Sequence, residues 1–176
     1  MLLSIDTVIN TFLSSIRTMP MVEIFFGVTL FGEVVTVGFF AFLISIFLWR
    51  KCLKQEIIAI WMVLIGSALT TYLIKIIIDR PRPIDAFVFE DTASFPSGHA
   101  TVAGAFYGFL TYLLWRNFKN TKYRELVIIA GAILVFLIGF SRLYLGVHYL
   151  TDVLAGYLVG LLWFFVGIKI DRITRK

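Results

Sequence analysis

Five stretches of this chain, roughly 22–49, 57–78, 98–115, 126–145 and 149–168, are apolar for long enough to cross a lipid bilayer as helices. About 18 consecutive apolar residues suffice for that. The expected fold is therefore all-α: a polytopic membrane helix bundle of about five transmembrane helices, forming one membrane-embedded domain over residues 1–176. Composition agrees, with 60% hydrophobic and 15% charged residues where a soluble domain has about a half and a quarter. Lipid rather than a large protein core covers most of the apolar surface. The first stretch is long for a bilayer and must tilt or begin in the headgroup layer.

Residues 1–20 read differently. Leu2, Ile5, Ile9, Phe12, Leu13 and Ile16 recur at three- and four-residue steps, while Asp6, Asn10 and Arg17 interrupt them. That period predicts an amphipathic helix lying in the membrane interface, ended by Pro20. The amino terminus lacks the basic region of a cleavable signal peptide, so insertion is expected through the first span. Cys52 is the single cysteine, which rules out an intramolecular disulfide.

The net charge of +5 does not point to nucleic acid, because the basic residues lie in short segments between apolar runs. With 49–56 placed in the cytoplasm, Arg50, Lys51, Lys54, Arg116, Lys119, Lys122, Arg124, Lys169, Arg172, Arg175 and Lys176 fall inside. Only Arg17, Lys75, Arg80, Arg82 and Arg142 fall outside. This bias sets the orientation and puts the carboxyl terminus in the cytoplasm.

Ionisable groups within or bordering spans are costly and call for a function. Here they form three clusters: Lys75 to Pro83 at the end of the second span, Pro96-Ser97-Gly98-His99 opening the third, and Ser141 to Asp152 between the fourth and fifth. The hydropathy-derived topology brings all three to the outer face. Lys75, Arg82 and Arg142 together require an anion, and the planar forks of Arg82 and Arg142 match phosphate oxygens. Ser97 and Gly98 begin a helix, where unpaired N–H groups make an anion site. Both histidines of the chain lie in these clusters. On a helix, His148 and Asp152 share a face. Asp152 would then accept Nδ1–H and leave Nε2 free for attack, with His99 left to protonate the leaving oxygen.

These clusters read K-x6-RP, PSGH and SR-x5-H-x3-D over about residues 75–152, and the chain thereby resembles the type 2 phosphatidic acid phosphatase superfamily. The resemblance implies a helical fold, a phosphohistidine intermediate and no metal or other cofactor. It makes His148 the nucleophile, Asp152 its orienter and His99 the general acid, with Lys75, Arg82, Ser97, Gly98 and Arg142 binding phosphate. The chain looks most like small bacterial members acting on envelope lipids, at the outer face of the inner membrane. Many bacterial members have six spans, and here residues 2–19 stand in place of the first.

Glu33, near the outer third of the first span, is an accessory candidate within reach of the cations. Ile84, Phe87, Val88 and Phe89 form an apolar patch, read as a lipid-contacting lid or as ordinary packing. Asp79 and Arg80 are expected to pair with each other. Trp49, Trp115 and Tyr149 read as interface anchors. The expected partners are the bilayer and a lipid substrate: lipid A 1-phosphate, undecaprenyl pyrophosphate or phosphatidylglycerophosphate. Activity in chelator, a bell-shaped pH profile and inhibition by vanadate are expected. An inactive lipid-phosphate-binding protein is the alternative, and a vanadate-dependent haloperoxidase shares such an anion cradle but comes from a soluble family.

Overall fold

Every regular element among the described residues is a helix. The computed structural model describes residues 2–88 and 90–174. Phe89 of the apolar patch and the basic Arg175 and Lys176 lie outside them, as does the side chain of Leu2. The helices are α1 (Leu2–Ser15), α2 (Met19–Thr29), α3 (Val34–Arg50), α4 (Lys54–Ile78), α5 (Gly98–Val102), α6 (Gly108–Asn117), α7 (Thr121–Tyr144) and α8 (Leu150–Thr174). A 3-10 turn, Leu30–Gly32, follows α2, and a π turn, Ala103–Tyr107, joins α5 to α6 without a break.

Three of these, α4, α7 and α8, are each long and apolar enough to cross a membrane. The stretch 22–49, expected as one span, is instead a pair bent by 51° where α2 meets α3. Glu33 at the bend is extended (φ −66°, ψ 135°), which interrupts the helical ladder. The bend has a tertiary cause. A Cβ on Gly32 would lie 2.7 Å from Ile138 and 2.9 Å from the His99 ring, so this turn is wedged between α7 and α5.

Local chemistry sets the other ends. Asn120 caps α7 by accepting the Lys122 N–H at 2.9 Å. Helix α4 stops at Asp79, whose left-handed φ of 40° lets its N–H return to Lys75 O at 3.0 Å. Pro81 follows and cannot continue the helix. Gly146, at φ 71°, turns the chain between α7 and α8.

Helix α8 is the axis of the bundle, and glycines seat it. Cβ atoms at Gly156 and Gly160 would lie 2.6 and 2.7 Å from the carbonyls of Ser97 and Thr101, and one at Gly167 would strike Val63. Small residues thus let α8 lie directly on α5 and α4. Val37, Ala59, Ile60, Val63, Phe106, Phe109 and Ile138 fill the core around them. Outward-facing residues such as Val35, Ile65, Ile77 and Leu158 are exposed, as lipid contact requires. At one end of the bundle Arg116 pairs with both Glu56 and Asp171, tying α6 to α4 and α8.

Helix α1 packs against α7 and α8. Asp6 does not interrupt its apolar face as the periodicity suggested. It points into the protein at 2% exposure, while Val8 and Phe12 face outward.

Candidate active site

The three clusters meet at the end of the bundle opposite the Arg116 tie. His148 lies in the turn before α8 and Asp152 in the first turn of that helix, so the pair does not share a helix face as expected. They meet because the chain folds back. Asp152 Oδ2 accepts the Tyr149 N–H at 2.9 Å and stands 3.5 Å from His148 Nδ1. The Ser94 hydroxyl also donates to Asp152 Oδ2 and lies 3.4 Å from the same imidazole nitrogen.

On the far side of the ring, Arg82 Nη1 is 3.3 Å from His148 Nε2. A guanidinium can only donate, so this geometry suits an imidazole with its proton on Nδ1 and its lone pair on Nε2. Burial pushes the His148 pKa down to about 4, and the nearby Arg142 and Arg82 charges add to that against the pull of Asp152. The ring is neutral at physiological pH.

The cations converge as expected. Arg82 donates through Nε to Thr92 O at 2.8 Å and through Nη1 to Val147 O at 2.9 Å. The Lys75 ammonium donates to Ala93 O, towards which Arg82 Nη2 also points at 3.5 Å. Arg142 is buried and donates to Thr29 Oγ1 at 2.7 Å. Glu90 bridges the two guanidiniums, with one carboxylate oxygen on Arg142 and the other 2.6 Å from Arg82. Burial alone would raise the Glu90 pKa, but Arg142 and Arg82 outweigh it and hold the carboxyl below its usual range. An anion therefore already sits where two arginines would grip a phosphate.

Ser97 caps α5, accepting the Ala100 N–H at 3.5 Å. Its own N–H is not free as expected but donates to Asp152 O at 3.0 Å. This bond locks the PSGH segment to the first turn of α8. Gly98 faces open space, since a Cβ there would meet only Thr71, at 3.9 Å. His99 is mostly buried, and its Nε2 makes no hydrogen bond among the described residues; Glu33 Oε1 approaches it to 3.5 Å. The bend in the α2–α3 pair thus delivers Glu33 to the second histidine.

Arg80 does not pair with Asp79. It binds Asp152 Oδ1 at 2.5 Å and Asp6 at 2.8 Å. Sequence reasoning assigned no role to Asp6, Glu90 or Ser94. Asp6 carried a signal, a carboxylate on an otherwise apolar helix, that was read as an interruption. Glu90 and Ser94 lie in an irregular loop with no periodicity to mark them. Of the apolar patch, Ile84 is fully exposed while Val88 packs against the buried cluster that includes Leu145 and Val147. Arg17 reaches this loop, donating to Asp85 O at 3.0 Å.

Known proteins resemble this chain in sequence and in fold. Phosphatidylglycerophosphatase B of Bacillus subtilis is 41% identical over 105 residues, which is 56% of this chain and 52% of that one. Dolichyldiphosphatase of Saccharomyces cerevisiae is 32% identical over 141 residues, 73% of this chain and 58% of that one. The chain thus spans little more than half the length of these relatives. The crystal structure of a transmembrane PAP2 type phosphatidylglycerolphosphate phosphatase from Bacillus subtilis superposes with TM-score 0.82 at 31% identity, covering 96% of this chain and 85% of that one. The profile of the PAP2 superfamily matches residues 55–174, a segment that takes in all three motifs. By that match, over most of its length, the chain belongs to the PAP2 superfamily.

Proposed function

We propose that this protein is a lipid phosphatase that removes a phosphate from a phosphomonoester or pyrophosphate lipid through a phosphohistidine on His148. One observation carries the reading: His148 Nε2 faces Arg82 at 3.3 Å while the Asp152 carboxylate stands at Nδ1. Nucleophile, orienter and phosphate clamp are in one place. In the first step Nε2 bonds to phosphorus as the bond to the lipid oxygen breaks. His99 gives that oxygen a proton. Water then attacks the phosphohistidine, His99 takes its proton, and the P–N bond breaks to release orthophosphate. Lys75, Arg82 and Arg142, with the Ser97 hydroxyl and the Gly98 N–H at the start of α5, neutralise the phosphoryl oxygens. Glu33 supports the charged form of His99.

Three cations around one anion supply the charge that a metal would otherwise bring, and this supports catalysis without one. The substrate classes named by the relatives, phosphatidylglycerophosphate and a polyprenyl diphosphate, fit a cradle that grips phosphate alone, as does lipid A 1-phosphate. We place the protein in a bacterial inner membrane as a single domain. The site faces outward and the carboxyl terminus is cytoplasmic, with the basic loops inside.

The test is phosphate release by purified protein in detergent with EDTA, wild type beside His148→Ala. The substrates are phosphatidylglycerophosphate, undecaprenyl pyrophosphate, lipid A and phosphatidic acid. Wild type is expected to turn over at least one lipid, and His148→Ala to lose about a thousandfold or more. Activity in His148→Ala near that of wild type, or activity lost in EDTA and restored by magnesium, would overturn the mechanism.

A further inference from the structure

Asp6 lies on the amino-terminal helix, far in sequence from every motif, yet it is 2% exposed and fully engaged at the edge of the site. Its Oδ1 accepts the Thr151 N–H at 3.0 Å, capping the first turn of α8. Its Oδ2 accepts from the Thr151 hydroxyl at 2.6 Å and from Arg80 Nη2 at 2.8 Å. The same guanidinium turns its other nitrogen to Asp152 Oδ1 at 2.5 Å and to Thr151 Oγ1 at 2.7 Å, and stacks 4.2 Å over the Tyr149 ring. The two oxygens of Asp152 are thus divided, Oδ1 held by Arg80 and Oδ2 facing His148. Charges alternate along the chain of contacts: Asp6, Arg80, Asp152, then the imidazole.

An apolar contact could dock α1 on α8 without the cost of desolvating two carboxylates and a guanidinium. What the ionic version adds is a fixed direction for the Asp152 carboxylate. We propose that Asp6 and Arg80 are positioning residues for the reaction, holding Asp152 towards His148 and setting how strongly its charge acts on the ring. This inference rests on His148 being the nucleophile. It makes the amino-terminal helix part of the catalytic apparatus rather than a membrane anchor alone.

The alternating charges give each residue its own signature. His148 is faced by Asp152 from α8, Arg142 from α7, and Arg82 and Glu90 from the loop after α4. Lys75 of α4 lies behind Arg82, and His99 of α5 lies across the site. Asp6 is linked to Asp152, and through it to the ring, by Arg80. Removing the Arg80 charge leaves the Asp152 charge unopposed, which favours protonated His148. Removing the Asp6 charge leaves Arg80 unopposed, which disfavours it.

The experiment measures pH profiles of kcat/KM for phosphatidylglycerophosphate in detergent. It compares wild type, Asp6→Asn, Arg80→Gln and Arg80→Lys, each with a thermal melt, beside His148→Ala. Arg80→Gln is expected to move the acid limb up by about half a unit or more, and Asp6→Asn to move it down by a similar amount. In both, kcat is expected to fall about tenfold with KM little changed. Arg80→Lys keeps the charge but loses the fork that spans both carboxylates. Its limb should stay in place while kcat drops, and it carries the test if the other variants fail to fold. Limbs that stay put in Arg80→Gln and Asp6→Asn, limbs that move the same way, or wild-type kcat in Arg80→Lys would each overturn the proposal. An active His148→Ala would instead remove the reading beneath it, so the two failures are distinguishable.

Discussion

In the proposed function, Glu90 sets the terms on which a phosphate can enter. Its carboxylate spans Arg82 and Arg142, so the proposed substrate must displace it before both arginines are available. Those arginines hold Glu90 ionised well below neutral pH, so displacement and not protonation clears the cradle. Glu90→Gln keeps the shape and removes the competing charge. Orthovanadate is expected to inhibit this variant about tenfold more strongly than wild type, the size of one weakened charge-assisted contact. An unchanged inhibition constant would show that Glu90 does not compete for the site. The state of His148 carries a second expectation. In the proposed mechanism its neutral form attacks, and its pKa is pushed down to about 4, chiefly by burial. Activity should therefore hold as pH falls through the range where an ordinary histidine protonates, near 6.5, and drop only nearer 4. A kcat/KM profile of the wild type, which reports the free enzyme, checks this. At this scale the motif residues were legible because their spacing is rigid. Glu90, Ser94 and Arg80 were not, since their partners are chosen by how the loop after α4 folds back over α8.

Helices carry the site by fitting closely, and α8 fits because its glycines allow it. Gly156 faces the Ser97 carbonyl and the Ala100 side chain, so an added methyl would push α8 away from the PSGH segment. That shift strains the bond from Ser97 N–H to Asp152 O, which links the PSGH segment to the proposed orienter of His148. Gly156→Ala is expected to cost about 1–3 kcal/mol of stability and to lower kcat more than KM. Thermal melts and steady-state kinetics together test this, and a folded variant with wild-type kcat would show that the crossing has slack. Apolar runs marked α4, α7 and α8, with ends up to six residues away, because lipid imposes length and hydrophobicity directly. The bend at Glu33 was hidden inside a continuous apolar run. Its cause is the wedge of Gly32 between Ile138 and His99, a contact between elements far apart in the chain.

For the molecule as a whole, function depends on which end faces the cytoplasm. The fold places Arg50, Lys51 and Lys54 around the α3–α4 turn, and Lys119, Lys122 and Arg124 around the α6–α7 turn. Arg116 ties Glu56 of α4 to Asp171 of α8, so these turns and the end of α8 share one end of the bundle. His148, His99 and the cradle lie at the other. In the proposed orientation, with these basic turns in the cytoplasm, the proposed catalytic end faces outward, where a lipid of the outer leaflet can reach it. Cys52 makes this directly measurable: it is the only cysteine, it is exposed, and it sits in the α3–α4 turn among the basic residues. A membrane-impermeant maleimide added to intact spheroplasts is expected to leave Cys52 unmodified until the membrane is permeabilised. With Cys52→Ser as background, Ile84→Cys places a thiol at a fully exposed position of the loop beside the site, and this one should react from outside at once. The reverse pattern would turn the molecule over. The substrate would then be drawn from the cytoplasmic leaflet, and periplasmic headgroups would be excluded as its phosphate source.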